Sequence, residues 1–112
     1  MNTEELPSID ADEAFAERDA FLLDVRENDE WRAGHAALAV HIPMGEIVAR
    51  VDELPRDRRI VCVCRSGNRS GRVTAWLLQQ GFDAVNMRGG MTHWASFGHP
   101  LVNQTGAAGV VI

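Results

Sequence analysis

One stretch of this chain constrains its fold more than any other. Ile60-Val61-Cys62-Val63-Cys64 is apolar and mostly β-branched, with no polar residue in five positions. A run that cannot alternate between core and solvent belongs to a strand covered on both faces, as in the middle of a parallel sheet. Arg65-Ser66-Gly67-Asn68-Arg69-Ser70 follows as a polar, Gly-containing loop. A helix is then expected over Gly71 to Gln80, apolar nearly all round at Val73, Ala75, Trp76, Leu77 and Leu78. Strand, loop and helix in that order form half of a βαβ unit.

The flanking sequence repeats the alternation. Asp10 to Ala20 reads as a helix with Ala11, Ala14 and Phe15 on one face, opened by an Asp10–Glu13 capping box. Phe21 to Val25 reads as a strand, and Glu27 to Ala33 as a short helix stopped at Gly34. Ala39 to Pro43 reads as a second strand. Met44, Ile47, Val48, Val51 and Leu54 then recur at helical spacing before Pro55. Ala84 to Met87 is a last strand, Gly89-Gly90 a turn, and Met91 to Phe97 a final helix. The expected architecture is α/β, with helices on both faces of a parallel sheet. One domain spans 1–102, and 103–112 reads as a loose C-terminal tail.

Composition narrows the chemistry. All 11 basic residues are Arg. Without Lys there is no Schiff-base catalysis and no Walker-type phosphate loop. Two Cys in 112 residues exclude a disulfide scaffold and a four-thiolate zinc site. The charge is lopsided: residues 1–57 hold 15 acids against 5 Arg, and residues 58–112 hold 6 Arg against Asp83 alone. This asymmetry is either a solvated acidic face or an anion site in the second half. A net charge of −5, with no basic cluster among aromatics, argues against nucleic acid. No apolar run approaches the roughly 18–20 residues of a membrane span. The acidic start, Met1 to Glu5, is unlike a signal peptide. A cytoplasmic setting is the expectation.

Ligands of open parallel sheets bind at the carboxyl ends of the strands. Cys64 ends the most buried one, just ahead of a helix N-terminus, where converging amides favour a thiolate. Arg65 and Arg69 add positive charge, and Gly67 lets successive amides of residues 65–70 form an anion nest. Cys64 is therefore the candidate nucleophile, against the plainer reading of a buried Cys running into a turn. Cys62 reads as a small hydrophobe rather than a resolving thiol, since i and i+2 side chains of a strand lie too far apart for an unstrained disulfide. Asp24 and Arg26 end a strand on the same sheet edge, either bordering the pocket or forming a structural ion pair. His35 serves the turn after Gly34 rather than acting as a general base. His41, His93 and His99 lack metal-ligand spacing. Trp31, Trp76 and Trp94 read as core or pocket-rim packing, with Trp94 the candidate for the rim.

These residues resemble a known family. Cys64-Arg65-Ser66-Gly67-Asn68-Arg69-Ser70 is similar to the active-site loop of rhodanese-domain sulfurtransferases. Leu23-Asp24-Val25-Arg26, Glu30, Gly34-His35 and Ile42-Pro43 resemble the family's upstream signature. Gly89-Gly90-Met91, Trp94, Gly98 and Pro100-Leu101 resemble its C-terminal pattern. Ala36 to His41 depart from the family's usual Ile and small Gly turn. The resemblance implies a five-stranded parallel sheet with helices on both faces, and a thiosulfate sulfurtransferase. Cys64 would take a sulfane sulfur as a persulfide and pass it to cyanide in vitro or to a thiol in a cell. Residues 65–70 would bind substrate: their amides hold the persulfide, Arg69 favours its charge and Arg65 helps to bind the donor anion. No cofactor or metal is implied; the partners are a small-molecule sulfur donor and a thiol or sulfur-acceptor protein. Cysteine phosphatases place five residues between Cys and Arg, whereas four separate Cys64 from Arg69, a tighter ring suited to one sulfur atom. A non-catalytic rhodanese-like module and a thiol sensor are the competing readings.

Overall fold

The computed structural model describes residues 6–112, so the acidic start Met1 to Glu5 lies outside the described residues. Five strands form one sheet: β1 (Ser8–Ile9), β2 (Phe21–Asp24), β3 (Val40–His41), β4 (Ile60–Val63) and β5 (Ala84–Met87). Their order is β1-β5-β4-β2-β3, and every neighbouring pair is parallel. β4 is central, and all four of its residues are buried. Its register sets Leu23 and Asn86 on either side of Cys62.

Side chains alternate across β4 and so feed two separate cores. Ile60, Cys62 and Cys64 face one way, packing with Leu23, Val25, Ile47, Val73 and Leu77. Val61 and Val63 face the other way, with Ile9, Ala14, Met87, Met91 and Trp94. Helix α3 (Asn68–Gln79) and the 44–54 segment cover the first face. Helices α1 (Ala11–Ala16) and α4 (Gly90–Ser96) cover the second. The remaining helix, α2 (Asn28–Ala33), lies between β2 and β3 in the chain. Among the described residues no helix is long and apolar enough to cross a membrane.

The Asp10–Glu13 capping box forms as expected, with Glu13 N–H donating to Asp10 Oδ1 at 2.8 Å and Asp10 N–H to Glu13 Oε1 at 3.1 Å. Three expectations change. Helix α1 ends at Ala16 rather than Ala20, because the polar Glu17-Arg18-Asp19 offers no apolar face and the chain turns back to enter β2. The 44–54 stretch is not one helix but two 3-10 turns, Met44–Glu46 and Val51–Glu53. Gly45 and the β-branched Ile47, Val48 and Val51 disfavour a continuous α-helix despite the spacing. The last ten residues are not loose. Gly109 N–H donates to Leu101 O at 3.0 Å and Val110 N–H to Ala33 O at 2.9 Å. This docking needs bare backbone: a Cβ on Gly34 would lie 2.4 Å from Val110 O.

Candidate active site

Helix α3 begins at Asn68, earlier than the sequence suggests, so the loop proper is only Arg65 to Gly67. Gly67 makes this possible: its φ of 109° is one that side-chain-bearing residues avoid. The abrupt turn brings free helix-terminal amides back onto the end of β4. Gly67 N–H donates to Cys64 Sγ at 3.1 Å, and Ser70 Oγ lies 3.3 Å from it. Cys64 is only 1 % exposed, so burial pushes its thiol pKa up. The Ser70 hydroxyl and the amides of Ser70, Gly67 and Ser66 oppose that and prevail, holding the thiol below its ordinary value. Two residues back, Cys62 has no such cradle. Burial pushes it up to about 12, with the Thr74 hydroxyl and the Cys64 charge as smaller influences.

The charges around the loop are engaged. Arg69 Nη1 and Nη2 donate to Glu30 Oε1 and Oε2 at 2.7 and 2.8 Å, a bidentate pair between α3 and α2. Glu30 holds Arg69 firmly protonated against partial burial, and the Cys64 charge adds to that hold. The same pair, ahead of burial, draws the Glu30 carboxyl below its ordinary range. Arg65 Nε donates to Ile112 O at 2.9 Å. Ser66 and Asn68 are exposed, whereas Ser70 is fully buried.

Residues 9–97 match the Rhodanese-like domain family. The chain belongs to that family. It is 44 % identical over 79 residues to "Putative sulfurtransferase YtwF" of Bacillus subtilis, covering 70 % of this chain and 77 % of that protein. It is 43 % identical over 89 residues to a sulfurtransferase of Allochromatium vinosum, covering 79 % and 83 %. The crystal structure of a rhodanese-related protein from Thermoplasma volcanium superposes with a TM-score of 0.83 at 33 % identity, covering 86 % of this chain and 97 % of that one. Sulfur transfer is thus the general chemistry of its relatives.

Within this rhodanese domain, Asp24 and Arg26 do not border a pocket. Both are fully buried and bound to each other, with Arg26 Nε 2.9 Å from Asp24 Oδ1 and Nη2 2.7 Å from Oδ2. Arg26 Nη2 also donates to Gly34 O at 2.8 Å, so the pair ties the end of β2 to the end of α2. Trp94 is a core residue: it is buried and donates to Pro100 O at 2.9 Å. His35 accepts its turn role, with Nδ1 2.6 Å from Trp31 O and its backbone bridged to Val102.

The roles of three supports of the rhodanese loop escape sequence reading. Asn86, on β5, donates from Nδ2 to Gly67 O at 3.0 Å and accepts from Ser70 Oγ at Oδ1, 2.6 Å away. The Ser70 hydroxyl has one proton and two acceptors, Asn86 Oδ1 at 2.6 Å and Cys64 Sγ at 3.3 Å. A polar residue in the otherwise apolar run Ala84 to Met87 was the available signal. Gly90 is the second support. Met91 N–H donates to Cys64 O at 2.8 Å and Thr92 N–H to Arg65 O at 3.0 Å, so α4 clamps the loop from behind. A Cβ on Gly90 would lie 2.4 Å from Cys64 O. The third is Glu30, present in the sequence signature but without an assigned role.

Proposed function

We propose that this rhodanese domain moves a sulfane sulfur from thiosulfate to a thiophilic acceptor through a Cys64 persulfide. The observation that carries this reading is the donor geometry at Cys64, whose Sγ accepts from Gly67 N–H at 3.1 Å and lies 3.3 Å from Ser70 Oγ at the head of α3, an arrangement that favours the thiolate. A thiolate is the nucleophilic form of cysteine. In the first step it attacks the outer sulfur of thiosulfate, the S–S bond of the donor breaks, and sulfite leaves with the bonding pair. The persulfide so formed is an anion one sulfur atom longer. The amides of residues 65–70 are its hydrogen-bond donors, the Ser70 hydroxyl adds to them, and the Arg69 charge favours the anion. In the second step cyanide or an acceptor thiolate attacks that outer sulfur and the Cys64 thiolate returns.

Arg65 spends Nε on Ile112, which leaves its other N–H donors for a donor anion. The acceptor in a cell is a thiol or a sulfur-acceptor protein, and two free thiols suit the reducing cytoplasm. Neither cofactor nor metal takes part in these steps. The test is intact-protein mass spectrometry after incubation with thiosulfate. A gain of one sulfur atom is expected, lost again on adding cyanide or a thiol; an unchanged mass would refute the thiosulfate reading.

A further inference from the structure

The cation nearest in role to the donor anion is already occupied. Arg69 presents its guanidinium edge to both oxygens of Glu30, at 2.7 and 2.8 Å. A sulfonate would claim the same two parallel N–H donors, because bidentate recognition of carboxylates and of tetrahedral oxyanions uses one geometry. Glu30 is well placed to hold that edge. Its side chain is 13 % exposed, and its Oε1 also accepts from Glu27 N–H at 3.1 Å in the capping box of α2. The carboxylate is therefore anchored on its own helix while it reaches across to α3.

We propose that Glu30 is a specificity-determining residue, an internal carboxylate that occupies Arg69 and that an anionic sulfur donor has to displace. This rests on the sulfurtransferase reading above. The physical consequence is selectivity by charge. With Glu30 seated, the Arg69 charge is partly offset, and a free dianion draws on it fully only by displacing the carboxylate. A donor whose sulfur arrives without a dense negative charge loses nothing. Arg26 is the other cation acting on Glu30, but it is paired with Asp24 and fully buried, so it offers no seat that a donor can reach.

Glu30→Gln separates this role from a structural one. Gln keeps the side-chain oxygen that accepts at the capping box, so α2 retains its cap while the charge goes. The probes are iodoacetate and iodoacetamide, an anion and a neutral molecule of similar size, reacting with Cys64 in a Cys62→Ser background. Their rate ratio cancels any change in the thiolate fraction and needs no sulfur transfer. In Glu30→Gln the iodoacetate to iodoacetamide ratio should rise about threefold to tenfold at low salt and fall back as salt is added. The KM for thiosulfate should fall with kcat less affected. In the Glu30→Gln, Arg69→Gln double variant the gain should vanish, since the gain acts through Arg69. Glu30→Asp keeps the charge but shortens the reach, and should fall between wild type and Gln. An unchanged ratio in Glu30→Gln, or a Glu30→Asp ratio equal to wild type, would overturn the proposal. If thiosulfate fails to load wild-type Cys64, the sulfurtransferase reading fails on its own while the alkylation ratio still decides the role of Glu30.

Discussion

Cys62 in β4 and Cys64 just past its end lie two residues apart and face the same core, yet their surroundings make them opposites. Both are buried to within 1 % of full exclusion from solvent. Cys62 is nonetheless enclosed more deeply than Cys64, so burial weighs more on it, and the donors around each sulfur add to that difference. Cys62 meets only Thr74 among hydrogen-bonding groups that lower its pKa, and burial carries the thiol up to about 12. Cys64 meets the first turn of a helix bent back by Gly67, and falls below the ordinary thiol value. The difference teaches that this fold makes a nucleophile by aiming donors rather than by exposing sulfur.

The sharpest break of the comparison exchanges one thiol at a time. Cys64→Ser should abolish sulfur transfer completely and leave thermal unfolding nearly unchanged. Cys62→Ser should retain most activity and lose about 1–3 kcal/mol of stability to a buried hydroxyl. Loss of turnover in a folded Cys62→Ser protein would end the single-nucleophile mechanism. Next in size is Arg69→Ala, which removes a charge near Cys64 and leaves Glu30 unpaired. Persulfide formation should slow roughly tenfold to a hundredfold, read as the stopped-flow rate of sulfite release.

Asn86→Ala removes the strut behind the cradle, not the cradle itself. We expect a loss of about 1–3 kcal/mol in urea unfolding, with the apparent Cys64 pKa rising as Gly67 and Ser70 loosen. Iodoacetamide rates against pH should shift to higher pH; an unmoved profile would mean that Asn86 only stabilises the fold. A separate effect falls on alkaline stability, where the two thiols act with opposite signs. Cys64 has a lowered folded pKa, so the unfolded chain keeps its proton longer and stability rises with pH up to the unfolded value near 8.5. Cys62 has a raised folded pKa, so stability falls from that unfolded value towards about 12. The fall should approach 1.4 kcal/mol per pH unit and should flatten in Cys62→Ala.

The same contrast explains which parts of the molecule were legible in the sequence. Ile60 to Val63 and the Asp10–Glu13 cap depend on near neighbours, and both form as the sequence suggests. The edge strand Ser8–Ile9 has only two residues, and pairing with β5 rather than any local pattern defines it. The candidate nucleophile and its loop were readable because strand, glycine and helix are adjacent in the chain. Asn86, Gly90 and Glu30 act from other elements, and their roles exist only once β5, α4 and α2 are packed around α3. The run Gly106-Ala107-Ala108-Gly109 reads as slack, yet Gly109 in it packs backbone to backbone, and a Cβ there would lie 2.7 Å from Gly34 Cα.

The clamp that α4 places on Cys64 and Arg65 also bears on how this loop can change. Every peptide unit is a small dipole, and turning its oxygen one way turns its N–H the other. By drawing the oxygens of residues 64 and 65 towards Met91 and Thr92, the fold directs the opposite ends of those units away from α4. An inserted residue would break that phase. Either the two bonds to α4 would be lost, or an oxygen would be turned towards the reacting atom and repel its charge. The circumference of the loop is thus governed by a helix that holds its backbone oxygens from behind. A route to a wider ring, able to enclose a tetrahedral oxyanion, has to begin by rebuilding the Gly89-Gly90 corner.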